Sequence, residues 1–239
     1  MKIVLIHGQS HKGTTYHIGR RLTDKLETEE NITEFFLPRD MPYFCNGCYR
    51  CLQNEEACPH YNVMEPILKS MDEAELLVFT TPVYCLRATG AMKSFLDHCF
   101  IQWLSHRPKA VMYHKKAVVI AAAAGAGTKK AADDIVTSLK YWGISDISVY
   151  GLRSLSKSWS ETSDKIKAEI EVKTDKLVAK IKRKKKPGHA SIGTRFMFYM
   201  MRMVQLKGWA ACPEDNTYWK EKGWLGKERP WKKGIANPL

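Results

Sequence analysis

Four of the seven cysteines lie close together in the chain, at Cys45, Cys48, Cys51 and Cys58, in the pattern CxxCxxCx6C. Two residues between sulfurs allow one tight turn to direct successive thiolates at a single point, which is how short cysteine runs hold an iron–sulfur cluster. Four thiolates at this spacing also suit tetrahedral zinc or a redox disulfide, and reduced cysteines can serve packing alone. The spacing therefore indicates a metal site. It does not decide between an iron–sulfur cluster, a zinc site or redox disulfide, and reduced cysteines without a metal.

The segment GQSHKGTT, residues 8–15 (loop L1), joins a predicted strand to a predicted helix. Unpaired amides and the dipole at a helix N-terminus favour a phosphate there. The loop is close to the nucleotide motif GxxxxGK[ST], but Thr14 stands where that motif requires lysine. It also lacks GxGxxG, which disfavours a dinucleotide bound in the Rossmann manner. L1 therefore suits the single phosphate of a mononucleotide, and FMN is the usual one in a five-stranded doubly wound sheet. Helix capping by Ser10 and Thr14 is the alternative.

Two further loops follow predicted strands. Residues 81–89 (loop L3) begin with TPVYC, a proline-stiffened turn that lets backbone amides and a tyrosine ring face a planar ligand. Residues 121–127 (loop L4) read AAAAGAG, and their small side chains let a flat ring approach the backbone, with Gly125 as the candidate contact. Plain strand packing is the alternative for the alanines. Ligands of doubly wound sheets bind beyond the carboxyl ends of the strands, so L1, L3 and L4 together favour FMN.

Apolar runs alternate with helical patterns over most of the chain, which predicts βαβ units and a parallel sheet in a doubly wound α/β fold. The inner strands are continuously apolar, as expected where helices cover both faces of the sheet. We predict strands at 2–7, 31–37, 75–80, 116–123 and 146–150, and helices at about 14–28, 63–73, 89–106, 128–142 and 161–183.

The 239 residues are 44% hydrophobic and 10% aromatic, which is typical of a folded soluble protein with one sizeable domain and an appendage. The start MKIVLIHG lacks a separate basic segment and a cleavage site, so we predict a first strand there and no signal peptide. No apolar run reaches the roughly 18 residues that a membrane span needs. We therefore expect a cytoplasmic, reducing location, where cysteines are reduced or metal-bound.

The net charge of +13 is concentrated near the C-terminus. Residues 182–239 hold 14 Lys and Arg against 4 Asp and Glu, whereas residues 1–181 carry only +3. The basicity therefore says little about the ligand of the main domain. The basic run at 182–186 predicts a boundary between a domain at 1–186 and a C-terminal helical extension at 187–239.

Within the extension, a helix from about Arg195 to Leu206 has a narrow polar stripe and is otherwise rich in Met and aromatic residues. Such a helix is expected to pack against the domain or a second subunit on most of its sides. Contact with an anionic lipid surface is the alternative, because lysines beside an apolar helix have the composition of a lipid anchor. No recognised motif supports nucleic-acid binding.

The sequence resembles the flavodoxin-like NAD(P)H-dependent FMN reductase family, in particular its iron–sulfur flavoprotein branch. The resemblance covers about residues 1–150, through GQSHKGTT, the four-cysteine segment and TPVYCLRATGAMKSFLDH. It implies a five-stranded parallel sheet in the order 2-1-3-4-5, FMN, NAD(P)H as electron donor, a [4Fe-4S] cluster on the four cysteines, and a homodimer. The flavin-binding residues that it implies are Ser10, Lys12, Gly13, Thr14 and Thr15 in L1 and Pro82, Val83, Tyr84 and Cys85 in L3.

We therefore predict an NAD(P)H-dependent flavin oxidoreductase or electron-transfer flavoprotein, with no catalytic acid or base assigned. A nearby cluster would take electrons singly from a two-electron carrier. Without a cluster, a small-molecule electron acceptor would meet the reduced flavin directly, and a protein acceptor is the other possibility. The rival hypothesis is a non-enzymatic binding protein that docks on a membrane or an acidic partner through its basic extension.

Overall fold

The computed structural model describes residues 1–156, 158–183, 190–210 and 212–232. Within them the chain forms a five-stranded sheet in the order β2-β1-β3-β4-β5, and each neighbouring pair of strands is parallel. The predicted doubly wound sheet and its strand order are confirmed. The strands are β1 Ile3–His7, β2 Ile32–Phe36, β3 Leu76–Pro82, β4 Lys116–Ala123 and β5 Asp146–Arg153.

Among the residues that the structure describes, five α-helices accompany the strands and two more form the extension. In the described residues no helix is both long and apolar enough to cross a membrane. The helices are α1 Thr14–Asp24, α2 Tyr61–Glu73, α3 Gly90–His98, α4 Thr128–Tyr141, α5 Asp164–Lys182, α6 Ile192–Leu206 and α7 Pro213–Glu221.

The sheet is covered on both faces because its inner strands contain continuous apolar runs, such as IVLI in β1 and LLVF in β3. In β1, Ile3 and Leu5 join a core that contains residues of α1 and α5. Val4 and Ile6 point the other way and join a core that contains residues of α2, α3 and α4. Successive side chains of a strand alternate between faces, so a continuous apolar run can feed two cores.

The predicted helix at 89–106 is too long. Helix α3 ends at His98, and Cys99–Gln102 forms a tighter 3-10 turn. Beyond it, the backbone N–H of Leu104 donates to the carbonyl of Tyr141 at the end of α4, at 2.8 Å. Tertiary packing on α4 therefore redirects a segment whose apolar pattern suggests a longer helix.

The extension packs on the α/β domain through a third core. Phe198 of α6 and Trp219 of α7 are buried there with Leu104 and Tyr113 of the domain. The sequence pattern does not predict α7 as a separate helix. The buried carboxylate of Asp215 in α7 accepts hydrogen bonds from His106 and Arg107 of the domain. The described part of the extension is thus anchored to the domain, and the predicted boundary at 186 lies outside the described residues.

Candidate functional site

Loops L1 and L3 are joined at the carboxyl end of the sheet. The N–H of Gly8 donates to the carbonyl of Thr80 at 2.7 Å, and the hydroxyl of Thr89 donates to the carbonyl of Gly8 at 2.6 Å. A Cβ on Gly8 would lie only 3.0 Å from both Thr80 O and Thr89 Oγ1. Glycine at this position therefore lets the two loops approach each other closely.

Loop L1 presents an open helix end. The N-cap of α1 is Gly13, which supplies no side-chain cap, and the first amide to bond back to it is that of His17, at 3.2 Å. The amides at the start of the helix, including those of Thr14 and Thr15, therefore point out of its end. Ser10 donates its hydroxyl to Leu37 O at 3.3 Å. The alternative in which Ser10 and Thr14 cap α1 is therefore wrong, and the helix end can receive an anion.

The other predicted residues of L1 surround this helix end. Lys12 is exposed, and its ammonium lies 5.1 Å from the centre of the Tyr16 ring. No acidic side chain occupies the first turn of α1. The end of α1 is therefore positively polarised by its dipole and by Lys12, as a phosphate group requires.

Loop L3 turns sharply after β3. Tyr84 and Arg87 exchange two backbone hydrogen bonds of 3.0 Å, and Cys85 and Leu86 between them have φ of 49° and 62°. Positive φ at both central residues defines a type I′ turn, which glycine and asparagine usually occupy. Cys85 and Leu86 are therefore backbone-strained residues of the kind that cluster at functional sites.

Side chains outside L3 hold this turn in place. Asp134 of α4 accepts hydrogen bonds from the guanidinium of Arg87 and from the N–H of Ala88, the latter at 3.1 Å. In L1, the amide of Gln9 donates to the hydroxyl of Tyr84 at 3.0 Å. The half-exposed Tyr84 side chain thus links the strained turn of L3 to L1, the candidate phosphate-binding loop.

Loop L4 lies against L3. The N–H of Val83 donates to Ala122 O at 2.9 Å, and a Cβ on Gly127, whose φ is +98°, would lie 2.8 Å from Val83 Cγ1. Residues 121–123 are buried, whereas 124–126 are exposed. A Cβ on Gly125 would meet nothing within 4 Å. The alanines of β4 therefore pack as strand residues, and the exposed end of L4 leaves room for a planar group.

These three loops fit FMN. L1 offers open amides for the phosphate. L3 offers the Tyr84 ring and L4 offers backbone with small side chains, and both suit the flat isoalloxazine. All the residues predicted from sequence in L1, L3 and L4 lie along this one edge. Sequence reasoning missed Gln9, Thr89 and Asp134; of these only Thr89, a threonine directly before a helix, carried a visible signal, that of an N-cap.

Gly125 and Gly127 provide a prediction about flavin binding. We expect Gly125→Ala to leave the stability of the flavin-free protein unchanged, because the added methyl group meets no atom within 4 Å. The same change should weaken FMN binding by roughly 10-fold, which corresponds to a loss of about 1.4 kcal/mol of binding free energy. Gly127→Ala should lower the stability itself by about 1–2 kcal/mol, because its φ is positive and Val83 is in the way. Thermal melts and flavin titrations of both variants separate the two effects; equal FMN affinity in Gly125→Ala and wild type would contradict the placement.

The four cysteines of the motif line one cavity. They lie between β2 and α2, as the sequence predicts, and the cavity of about 300 Å³ is also lined by Tyr49, His60, His98 and Phe100. Cys45 and Cys48 are exposed, whereas Cys51 and Cys58 are partly buried, and all seven cysteines of the chain are free. The motif thus gathers its sulfurs around a shared space.

The thiols of this cavity influence one another. Burial raises the pKa of Cys51 to about 11, and the neighbouring Cys58 adds to the effect, followed by Cys45 and Cys48. Cys51 is therefore protonated near neutral pH in the absence of a cation. A metal would have to displace that proton, which makes metal binding here dependent on pH.

The spacing of the sulfurs bears on the zinc alternative. Sulfurs on one tetrahedral zinc lie roughly 3.8 Å apart, given a zinc–sulfur distance of about 2.3 Å. Among the described residues, one group of three or more candidate ligands lies within 4.8 Å of one another, and it consists of Cys58, His60 and His98. No three motif sulfurs are that close. The motif cysteines alone are therefore not arranged as a preformed tetrahedral zinc site.

The fold and the loops define the class of the protein as a flavodoxin-like α/β protein. A family model described as NADPH-dependent FMN reductase matches residues 1–152, which is more than half of the chain. The chain belongs to this family, and the resemblance noted from the sequence is confirmed.

Individual relatives carry the same indication. An iron–sulfur flavoprotein of Methanocaldococcus jannaschii is 29% identical over 100 residues, which are 41% of this chain and 50% of that relative. One of Archaeoglobus fulgidus is 26% identical over 98 residues, 41% of this chain and 48% of the relative. The chain thus spans about half the length of the curated relatives it matches.

A solved structure supports the fold. The FMN-dependent NADH-azoreductase of Bacillus anthracis in complex with FMN aligns with a TM-score of 0.56 at 13% identity, covering 74% of this chain and all of that one. At this identity the likeness shows the shared fold alone.

Proposed function

We propose that this protein is an FMN-dependent NAD(P)H oxidoreductase. The observation that carries the proposal is the convergence of L1, L3 and L4 at one edge of the sheet, where Gln9 of L1 donates to the Tyr84 hydroxyl and the N–H of Val83 donates to Ala122 O. L1 also contains the open end of α1. Membership of the NADPH-dependent FMN reductase family supports the same activity.

The residues of the site have positioning roles in this proposal. FMN, when bound, accepts hydride from a nicotinamide and can release electrons one at a time. The amides at the start of α1 bind its phosphate, and the Gln9–Tyr84 contact orients the tyrosine beside the ring. Asp134 keeps the strained turn at Cys85 in place through Arg87. No side chain is assigned to proton transfer.

The experiment that tests this function is a titration of the flavin-free protein with FMN. We expect saturable binding of one FMN per chain, with a clear preference over riboflavin because L1 provides the phosphate site. A protein that binds neither flavin would overturn the proposal.

The four cysteines are proposed to hold a [4Fe-4S] cluster that takes electrons from the flavin. The support is the shared cavity and the iron–sulfur flavoproteins among the relatives. The cysteine loop is attached to α3, because Ser94 of that helix donates its hydroxyl to Tyr43 O at 2.7 Å. Helix α3 begins directly after L3, so it connects the candidate flavin edge to the cysteine cavity.

A small electron acceptor has a candidate place beside the cysteines. A cavity of about 500 Å³ shares Asp97 and Phe100 with the cysteine cavity and is also lined by Arg87 and Trp103. Its size and aromatic walls suit a small planar molecule. We propose that the acceptor binds in this cavity.

The homodimer implied by the sequence resemblance stays a prediction.

A second candidate function is attachment to an anionic lipid surface, which we infer from helix α6. Phe198 packs one side of α6 into the third core, but the other side carries an exposed apolar stripe. Residues 190–210 hold three cations and no acidic residue, so charge favours an anionic bilayer over a second copy of the same basic surface. The stripe consists of Ile192, Phe196, Tyr199, Met200, Met203, Leu206 and Trp209.

Vesicle binding tests this attachment. We expect the protein to sediment with vesicles that contain phosphatidylserine and not with phosphatidylcholine alone. Phe196→Glu should weaken binding by roughly 10-fold or more, because it places a charge in the apolar stripe next to anionic lipid. Val172→Glu, at an exposed apolar position of α5, is the matched control. Equal sedimentation of Phe196→Glu and wild type would refute the role of α6.

A further inference from the structure

A group of three potential metal ligands adjoins the cysteine motif. Cys58, His60 and His98 come from the end of the cysteine loop and from α3, and their ligand atoms all lie within 4.8 Å of one another. They line the same cavity as the other motif cysteines. Neither histidine belongs to the CxxCxxCx6C pattern, and neither has a role in the proposed flavin site.

The two imidazoles are held in an orientation that suits a metal. His98 is buried, and its Nδ1 lies 2.8 Å from the carbonyl of Ser94, which accepts the proton of that nitrogen. The lone pair of His98 is therefore on Nε2, which lies 2.9 Å from Nδ1 of His60. A ring N–H bonded to a backbone carbonyl is the usual support of a metal-binding histidine.

The His60 ring is fixed as well. It stacks on Tyr43 with 4.6 Å between ring centres and 9° between planes. The carbonyl of Tyr43 in turn accepts the hydroxyl of Ser94. Ser94 therefore supports both histidines, directly at His98 and through Tyr43 at His60.

We propose that Cys58, His60 and His98 form a mononuclear zinc site, which shares Cys58 with the four-cysteine motif and uses two histidines outside it. Nitrogen ligands on tetrahedral zinc lie about 3.3 Å apart, given zinc–nitrogen distances of about 2.0–2.1 Å, so the gap of 2.9 Å between the imidazoles needs only a small opening. On binding, zinc replaces the proton between the two nitrogens, which moves to the outer nitrogen of His60, and the Cys58 thiol releases its proton to solvent.

The zinc site leaves a fourth position open to water, and thiolate with imidazole is a donor set common in zinc sites. Because Cys58 belongs to both donor sets, zinc and a cluster bound by all four cysteines exclude each other. Zinc would therefore occupy the cavity when iron and sulfide are absent. The inference does not depend on flavin binding, since neither histidine lies in L1, L3 or L4.

The test uses the full chain with Cys45, Cys48 and Cys51 all changed to Ser, which removes the cluster ligands and keeps Cys58. We expect the metal-free protein to bind one Zn²⁺ in competition with a chromophoric chelator. Co²⁺ should give the visible bands of a tetrahedral site with one thiolate. Adding His98→Gln or Cys58→Ser should each weaken zinc binding roughly 100-fold or more, judging from the losses caused by changes around metal ligands. His17→Ala, a histidine on α1, is the matched control.

Two outcomes would overturn the zinc site: no stoichiometric zinc in the triple variant, or zinc affinity unaffected by both ligand variants. Circular dichroism and FMN titration of each variant report whether the fold is intact. Normal FMN binding without zinc refutes this inference alone, whereas absent FMN binding with normal zinc refutes the proposed flavin function.

Discussion

Thr14→Asp is expected to abolish FMN binding while leaving the fold intact. Thr14 is the first residue of α1, where the proposed phosphate site has open amides and no acidic side chain. Two like charges about 4 Å apart at an effective dielectric of 20 repel by about 4 kcal/mol, so we expect a loss of roughly 1,000-fold in FMN affinity. Flavin fluorescence titration measures the effect.

The same substitution should stabilise the flavin-free helix slightly, by about 0.5 kcal/mol, because an anion at a helix N-terminus is favourable. Riboflavin, which lacks the phosphate, should lose little affinity. Ile192→Asp adds the same charge at the exposed start of α6 and serves as the matched control. If Thr14→Asp weakens the binding of riboflavin as much as that of FMN, or weakens the binding of neither flavin, the phosphate does not bind at L1.

A second large effect is expected on the iron content of the protein when one cysteine of the four-cysteine motif is changed. After anaerobic purification or reconstitution with iron and sulfide, we expect about four irons per chain, the content of one cubane. Cys48→Ser should remove most of this iron, because an exposed motif position loses its thiolate. Iron and sulfide assays, with the visible spectrum recorded before and after, provide the measurement.

Cys85→Ser is the matched control for iron content. Cys85 is also an exposed free cysteine, but it lies in L3 and does not line the cysteine cavity. Its substitution should leave the iron content unchanged. Zinc in place of iron under these conditions, or iron retained by Cys48→Ser, would contradict the cluster; the flavin proposal would stand in either case.

The sheet could be predicted from sequence because its signals are local. Runs such as IVLI in β1 are apolar at every position, which indicates a strand covered on both faces. L1, with glycines and hydroxyls between a strand and a helix, is likewise visible without tertiary information. Once the strands are parallel, their carboxyl ends must meet at one edge, so the relation among L1, L3 and L4 follows from topology.

Other features depend on contacts between distant parts of the chain. The hydrogen bonds that Arg87 donates to Asp134, which hold the strained turn of L3, join residues 47 positions apart. The pairing of His60 with His98 likewise depends on how the cysteine loop packs on α3. The path of the chain after α3 likewise depends on a backbone hydrogen bond from Leu104 to Tyr141 of α4. No periodicity or motif encodes these contacts, and they appear only when the chain is folded.

An anaerobic titration of the FMN-loaded protein with NADH and NADPH, followed by flavin absorbance, tests the oxidoreductase function most directly. We expect at least one nicotinamide to bleach the oxidised flavin bands stoichiometrically, because hydride transfer from a nicotinamide reduces FMN in the proposed function. An FMN that is bound but stays oxidised with both donors, or a protein that cannot be loaded with FMN, would contradict the proposed oxidoreductase.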